Sequence, residues 1–116
     1  MNNRANRRGH FRLRYPPGAE PVLTTGSTAR TVVELSERGL RFSDGGRTAT
    51  LAERVSGVLR FPDGTELAVE GAVVRSVGGW IAVRLTRGVH LGRMIAEQRR
   101  ILREYPGFLR PVGDED

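Results

Sequence analysis

Two groups of polar residues have the types and spacing that would bind a phosphate-containing ligand. In the first group, Arg8 and Arg12 stand four residues apart near the N-terminus. The second group is Glu34, Ser36 and Gly39, at the end of a predicted strand. Arginine offers a planar fork that binds phosphate through two parallel hydrogen bonds and stacks on flat rings. A carboxylate accepts hydrogen bonds, a hydroxyl donates or accepts, and a glycine lets a ligand approach the backbone amides.

The basic charge of the chain is carried entirely by arginine. There are 19 basic residues, none of them lysine, and the net charge is +6. This composition alone leaves three anionic partners open, namely nucleic acid, an acidic membrane surface and a nucleotide. The first fifteen residues carry five arginines but lack the apolar core of a secretion signal. No apolar run approaches the length of a membrane span, and we predict a cytoplasmic protein.

The residue types that usually perform catalysis or bind metals are scarce or scattered. The chain has no cysteine, and its two histidines, His10 and His90, lie in different kinds of segment. Histidines so placed form no recognisable metal cluster. Nucleophile-elbow and phosphate-loop motifs are also missing, and the acidic residues show no paired pattern. The sequence therefore favours a binding protein over an enzyme and predicts no cofactor.

Alternating apolar and polar residues predict about six short strands. They cover residues 21–25, 30–36, 40–42, 54–61, 66–77 and 80–85. Strands at this hairpin spacing are typical of a small antiparallel barrel or sandwich.

Within residues 30–36, the alternation predicts two faces. One face holds Thr31, Val33 and Leu35. The opposite face holds Arg30, Val32, Glu34 and Ser36. Glu34 and Ser36 are therefore expected on the outside of the barrel, where a ligand would lie between the barrel wall and the N-terminal arm.

The last regular segment has a helical period and is predicted at about residues 89–105. Its apolar stripe consists of Leu91, Met94, Ile95, Gln98, Leu102 and Tyr105. We expect this stripe to pack on its own domain, and the alternative is a contact with a second copy or a partner. The residues expected to face water are Arg93, Glu97, Arg100 and Glu104. Trp80 is expected to pack beneath this helix.

These segments predict a single mainly β domain with two appended tails. Residues 1–18 form a flexible basic arm, and residues 19–106 form the barrel and the helix. Residues 107–116 form a disordered acidic tail.

Both polar groups resemble the signature of the PilZ family, which is R-x-x-x-R followed by [D/N]-x-S-x-x-G. The first motif is carried by Asn6-Arg7-Arg8-Gly9-His10-Phe11-Arg12-Leu13. The second is carried by Glu34-Leu35-Ser36-Glu37-Arg38-Gly39 and runs into the next strand. Arg4 and Arg8 share the same spacing, but the flanking residues favour Arg8 and Arg12. The later strands and the closing helix resemble the family as well, so the likeness covers nearly the whole chain.

The resemblance implies a six-stranded antiparallel barrel with a terminal helix that binds cyclic di-guanylate, as a monomer or an intercalated dimer. The ligand residues it implies are Arg8, Arg12, Glu34, Ser36 and Gly39, with Arg7 and Arg38 as additional candidates. Ordering of the arm on the ligand would then engage or release a downstream protein partner. One departure is Glu34, because the family usually has aspartate or asparagine there. Glutamate keeps the acceptor but adds a methylene group and a rotatable bond.

Two other interpretations remain open at this point. The first is a PilZ-like module that works only through protein contacts, with the apolar helix stripe as its surface. The second is a basic nucleic-acid-binding barrel, whose affinity would fall steeply with salt. Few aromatic residues alternate with the basic ones, which disfavours base stacking and hence nucleic acid. Glu34 also has an alternative role, as the partner of an arginine on a neighbouring strand.

Overall fold

The computed structural model describes residues 12–43 and 54–108, except for the side chain of Val77. These residues form seven strands and one helix. The elements are β1 (Leu13–Arg14), β2 (Val22–Thr25), β3 (Thr28–Ser36), β4 (Gly39–Ser43), β5 (Arg54–Arg60), β6 (Glu66–Val77), β7 (Trp80–Arg87) and α1 (Leu91–Glu104).

Six of the strands close into an antiparallel barrel. The neighbours run in the order β3-β2-β5-β6-β7-β4, and β4 pairs again with β3. The short strand β1 adds to β3 outside this ring. The fold predicted from the sequence, a six-stranded antiparallel barrel with a C-terminal helix, is confirmed. Closure pairs each of the six described barrel strands on both sides, and it gives each strand an inner and an outer face.

The core consists of the inward side chains of the strands together with one side of the helix. In β7, Ile81, Val83 and Leu85 are buried, as the alternation predicts. Met94 and Ile101 of α1 belong to the same buried cluster and cover it. The outer face of β7 is therefore free for other contacts.

Strand β3 departs from the predicted alternation. Val32 and Leu35 are both fully buried although they are three residues apart, and the pairing register with β4 shifts between Val32 and Glu34. Such a β-bulge inserts an extra residue, here the half-buried Val33, and reverses the facing of everything before it. The prediction that Val32 faces outward and Thr31 inward was therefore wrong. After the bulge the predicted facing is correct: Leu35 points inward and Glu34 lies on the outer face.

The packed part of the chain begins before the predicted boundary at residue 19. Leu13 pairs with Leu35 of β3, and both Leu13 and Tyr15 are buried. The sequence assigned this stretch to the arm, whereas the structure packs it into the domain. The rest of the predicted arm, with Arg7 and Arg8, lies outside the described residues. So does the predicted tail after residue 108.

Helix α1 is rotated relative to the predicted orientation. Its buried residues are Met94, Glu97, Arg100 and Ile101. Three apolar residues of the predicted stripe are instead exposed, namely Leu91, Ile95 and Leu102. The expectation that the whole stripe packs on the domain was wrong, as was the expectation that Glu97 and Arg100 face water.

The cause of this orientation is a set of polar partners offered by the segment after β1. The Tyr15 hydroxyl donates to Glu97 Oε1 at 2.8 Å. Arg100 Nη2 donates to Glu97 Oε1 at 3.0 Å and to the Ala19 carbonyl at 3.1 Å. Buried charges are tolerated when they are paired and hydrogen-bonded. The helix can therefore bury two charged residues and leave apolar ones in water.

Candidate ligand site on the outer barrel face

The strand register places complementary residues side by side across the outer face. Glu34 of β3 lies opposite Arg41 of β4, and Arg41 lies opposite Ala82 of β7. Ala82 in turn lies opposite Arg75 of β6. The row therefore contains one glutamate, two arginines and one small residue. Directly opposed residues on one face are close enough to interact.

A second row runs parallel to the first. Ser36 lies opposite Gly39, and Gly39 lies opposite Arg84. A Cβ atom added to Gly39 would lie 3.1 Å from the Val83 carbonyl oxygen and 3.7 Å from Ser36 Oγ. The first of these contacts is tight. Because residue 39 has no side chain, the backbone of this part of the surface stays uncovered.

An open groove of about 420 Å³ follows these two rows. It is lined by Arg12, Glu34, Leu35, Ser36, Arg38, Gly39, Leu40, Arg41, Val74, Arg75, Ala82, Val83 and Arg84. The structure thus brings together five of the residues that the sequence identified as ligand candidates. They are Arg12, Glu34, Ser36, Arg38 and Gly39. Arg7 and Arg8 lie outside the described residues.

Arg12 reaches the groove because β1 is anchored to β3. Leu13 and its partner Leu35 both point inward, so Arg14 and its partner Glu34 point outward. Successive residues of an extended chain alternate, which directs Arg12 to the outer face as well. Continuing the register by one residue sets Arg12 level with Ser36. The second arginine of the R-x-x-x-R motif and the serine of the second motif line the same groove.

The turn between β3 and β4 is held by hydrogen bonds from the end of β7 and the residues that follow it. The carbonyl of Glu37 accepts a hydrogen bond from the Val89 amide at 2.9 Å, and that of Arg38 accepts one from the Leu85 amide at 2.8 Å. A Cβ atom on Gly88 would collide with the Glu37 carbonyl oxygen, so only glycine allows this approach. The Ser36 hydroxyl donates to the Gly39 carbonyl at 3.3 Å across the same turn. This region of the groove is consequently tied to the chain that enters α1.

Glu34 has a cationic partner within the groove. Arg41 Nε lies 3.2 Å from Glu34 Oε1, and the Arg41 guanidinium carbon lies 4.4 Å from the centre of the Trp80 ring. Trp80 is on the outer face of β7, opposite in direction to the buried Ile81. The expectation that Trp80 packs beneath the helix was therefore wrong. Its ring is instead a platform for an arginine at the edge of the groove.

The sequence matches the family profile of the PilZ domain over residues 6–105. The chain belongs to the PilZ family. PilZ domains form a family of cyclic di-guanylate receptors that act as binding and adaptor domains.

The fold of this PilZ domain is also similar to a solved structure. The crystal structure of the uncharacterized Legionella protein Lpg0364 superimposes with a TM-score of 0.60 at 16% sequence identity. The match covers 81% of this chain and 96% of the Legionella chain, and it supports the fold. No curated protein is significantly similar to the sequence. Within the described ranges 12–43 and 54–108, no helix has the length and apolar character needed to cross a bilayer.

Positive charge dominates the groove of this PilZ domain. Among the described residues, five arginines and a single carboxylate line it. Three of these arginines, Arg41, Arg75 and Arg84, were missed as site residues by sequence reasoning. They lie on three different strands, and only the strand register places them near Ser36 and Gly39. Their outward position in the alternation was the one available signal.

Proposed function

We propose that this PilZ domain is a receptor for cyclic di-guanylate. The observation that supports the proposal best is the outer groove, where Arg12 of one motif and Ser36 and Gly39 of the other come together. The sequence separates these residues widely, and the barrel makes them neighbours. In this proposal the protein binds the nucleotide without transforming it, and it acts in the cytoplasm.

The groove suits the chemistry of this ligand. A cyclic dinucleotide has two phosphates, which need cationic donors, and Arg12 and Arg38 supply them at one end of the groove. Its two guanines present N7 and O6 acceptors that match the guanidinium fork. Gly39 and Ala82 leave room for the flat rings between the arginines. The excess of positive charge favours capture of a dianion at long range.

The proposed signal is closure of the N-terminal segment over the ligand. Arg12 is held near the groove because Leu13 pairs with β3. Arg8, four residues earlier, would close over the ligand from the other side, with Arg7 as an additional donor. A segment that becomes ordered on binding creates a new surface, and this surface would engage or release a downstream protein partner.

Calorimetric titration with cyclic di-guanylate tests the proposal. The wild-type protein should give saturable heat, and Arg8→Ala and Arg12→Ala should each weaken the affinity by about tenfold or more. Arg60→Ala is a matched control, because Arg60 is an exposed arginine on β5 that does not line the groove. An absence of heat with the wild-type protein, or equal affinity in all three variants, would contradict the proposal.

A second candidate function is that of a PilZ module that works through protein contacts alone. The exposed apolar residues on α1 favour it, because Leu91, Ile95 and Leu102 form one stripe that the domain does not cover. Phe108, just after the helix, is also exposed. This candidate predicts a folded protein that gives no heat with cyclic di-guanylate. The same titration therefore separates the two functions.

A further inference from the structure

We infer that Arg41 contacts a guanine of the bound dinucleotide, and that Glu34 is a positioning residue that holds Arg41 for this contact. The inference rests on the proposed function and deepens it. It reverses the role expected for Glu34, which the resemblance to the family presents as a hydrogen-bond acceptor for the ligand.

The first observation behind this inference is the cross-strand ion pair. Glu34 and Arg41 are directly opposite in the β3–β4 register, and Glu34 Oε1 lies 3.2 Å from Arg41 Nε. The side chain of Arg41 is 38% exposed and that of Glu34 is 20% exposed. A ligand entering the groove therefore meets more of the arginine than of the carboxylate. The pair also lowers the repulsion that a bare carboxylate would exert on two phosphates.

The second observation is the stacking of Arg41 on Trp80. The guanidinium lies over the indole ring at 4.4 Å, so one of its faces is already covered. The ion pair engages Nε, and the two terminal amino groups of the fork lie beyond it. These amino groups can donate in parallel to the N7 and O6 atoms of guanine. Because the side chain is held from two sides, little rotamer entropy is lost when the ligand binds.

The length of Glu34 fits the positioning role. A glutamate reaches one methylene further than aspartate, and it uses that reach along the strand pair to meet Nε of Arg41. If Glu34 were to accept from a guanine instead, it would have to leave Arg41. The arginine would then lose the partner that fixes its orientation. Glu34, which departs from the family pattern, and Arg41 thus act as one unit.

Titration of the Arg41→Ala and Glu34→Asp variants with cyclic di-guanylate distinguishes the two roles, because each role predicts a different change in affinity. If Arg41 contacts the guanine, Arg41→Ala lowers the affinity by about tenfold or more, and Arg41→Lys also lowers it because lysine has no fork. Glu34→Asp lowers it as well, because the shorter acid no longer holds Arg41. If Glu34 instead accepts a hydrogen bond from the guanine directly, Arg41→Ala leaves the Glu34 carboxylate free for this bond, and Glu34→Asp restores a residue that is usual in the family. Unchanged or higher affinity in both variants overturns the inference.

The chain offers a closely matched control pair. Arg60 and Glu66 are also an arginine and a glutamate directly opposite on adjacent antiparallel strands, with Nε and Oε2 3.9 Å apart. Neither residue lines the groove. Arg60→Ala and Glu66→Asp should leave the affinity unchanged. A loss in Arg60→Ala equal to that in Arg41→Ala would overturn the inference, because net charge alone would then account for the effect.

A measurement without ligand tests the positioning role of Glu34 separately. Trp80 is the single tryptophan of the chain, so its fluorescence reports on the stacked guanidinium. Arg41→Ala and Glu34→Gln should both change the Trp80 emission of the free protein, and Arg60→Ala should not. Unaltered emission in Glu34→Gln overturns the positioning role. No heat from the wild-type protein overturns the proposed function together with this contact, whereas normal wild-type binding with equal affinity in Arg41→Ala overturns the contact alone.

Discussion

Two glutamate–arginine pairs of this domain have similar separations and different surroundings. Glu34 and Arg41 on the outer face lie 3.2 Å apart, and their side chains are 20% and 38% exposed. Glu97 and Arg100 of α1 lie 3.0 Å apart, and their side chains are 1% and 10% exposed. The first pair stands in water beside a groove, whereas the second is enclosed between the helix and the segment after β1.

The same two residue types thus occupy a partly exposed groove in one place and a buried polar network in the other. The carboxylate of Glu97 is bonded by Tyr15 and by Arg100 and lies 3.4 Å from Arg93. Buried charges need all such partners, since removing one leaves an uncompensated charge in a poorly solvated site. The outer pair is only partly buried, and ion pairs near the surface contribute little to folding. Arg41 is therefore available to a ligand, and Arg100 is not.

The buried network also shifts the pKa values of two of its members. Burial, reinforced by the charge and hydrogen bond of Glu97, raises the pKa of Tyr15 well above its usual value. Burial alone would lower the pKa of Arg100, but the hydrogen bond and charge of Glu97 outweigh it and raise that pKa above its ordinary value. Both groups are thus held in the protonation states that the buried network requires.

The largest expected effect is at the buried pair. Glu97→Ala should lower the free energy of unfolding by about 3–5 kcal/mol, because it leaves Arg100 buried without its main partner. Chemical denaturation measures this change. Glu34→Ala is the matched substitution in the outer pair. An equal loss of stability in the two variants would show that the two pairs do not differ in their contribution to folding.

Tyr15→Phe should have the next largest effect. It removes the donor to Glu97 Oε1 and should cost about 1–3 kcal/mol at neutral pH. Because the folded pKa of Tyr15 is raised, its stabilising contribution is fully present below the unfolded pKa of about 10 and is lost as the pH rises above it. The stability advantage of the wild-type protein over Tyr15→Phe should therefore shrink in strongly alkaline solution. An advantage that grows there would have the wrong sign.

Glu34→Ala should change stability by less than about 1 kcal/mol, as exposed ion pairs do. Thermal or denaturant unfolding checks this expectation. The same variant should nevertheless alter the Trp80 emission, because Arg41 loses its partner. A large loss of stability would show that the outer pair belongs to the structural framework.

The smallest effect is expected at Asp63, in the turn between β5 and β6. A hydrogen bond from the Thr65 backbone, helped by the Thr65 side chain and by Arg93, lowers the pKa of Asp63 to about 2. Since the folded pKa is depressed, the stabilisation is present above the unfolded pKa of about 3.9 and is lost as the pH falls toward 2. The group is exposed, so Asp63→Asn should lower stability at neutral pH by only about a few tenths of a kcal/mol. A flatter acid limb in the variant's unfolding profile is the expected result.

Much of the barrel was predictable because its strands obey a simple period. The inward facing of Ile81, Val83 and Leu85 and the hairpin turn at Pro62-Asp63-Gly64-Thr65 follow directly from the alternation and from turn chemistry. The outward position of Glu34 was also predicted. The predicted facing of β3 was wrong before its bulge, because a strict two-residue alternation does not allow for an inserted residue.

The orientation of the helix and the identity of the arginine that pairs with Glu34 were not predicted, for different reasons. An apolar stripe predicts the buried face of a helix only where charged residues cannot be buried. Here Tyr15 and the Ala19 carbonyl supply hydrogen-bond partners that allow Glu97 and Arg100 to be buried. Pairing of Glu34 with an arginine on a neighbouring strand was among the sequence-based alternatives. To identify that arginine as Arg41 required the strand register, which the sequence of one chain does not specify.

The claim that the outer groove is a cyclic di-guanylate site is tested most directly by one calorimetric titration. Wild-type protein and Arg12→Ala are titrated with the dinucleotide under the same conditions, and their unfolding profiles are compared to establish that both are folded. The wild-type protein should show saturable binding, and Arg12→Ala should bind at least about tenfold more weakly. A folded wild-type protein that gives no heat, or a variant that binds equally well, would contradict it.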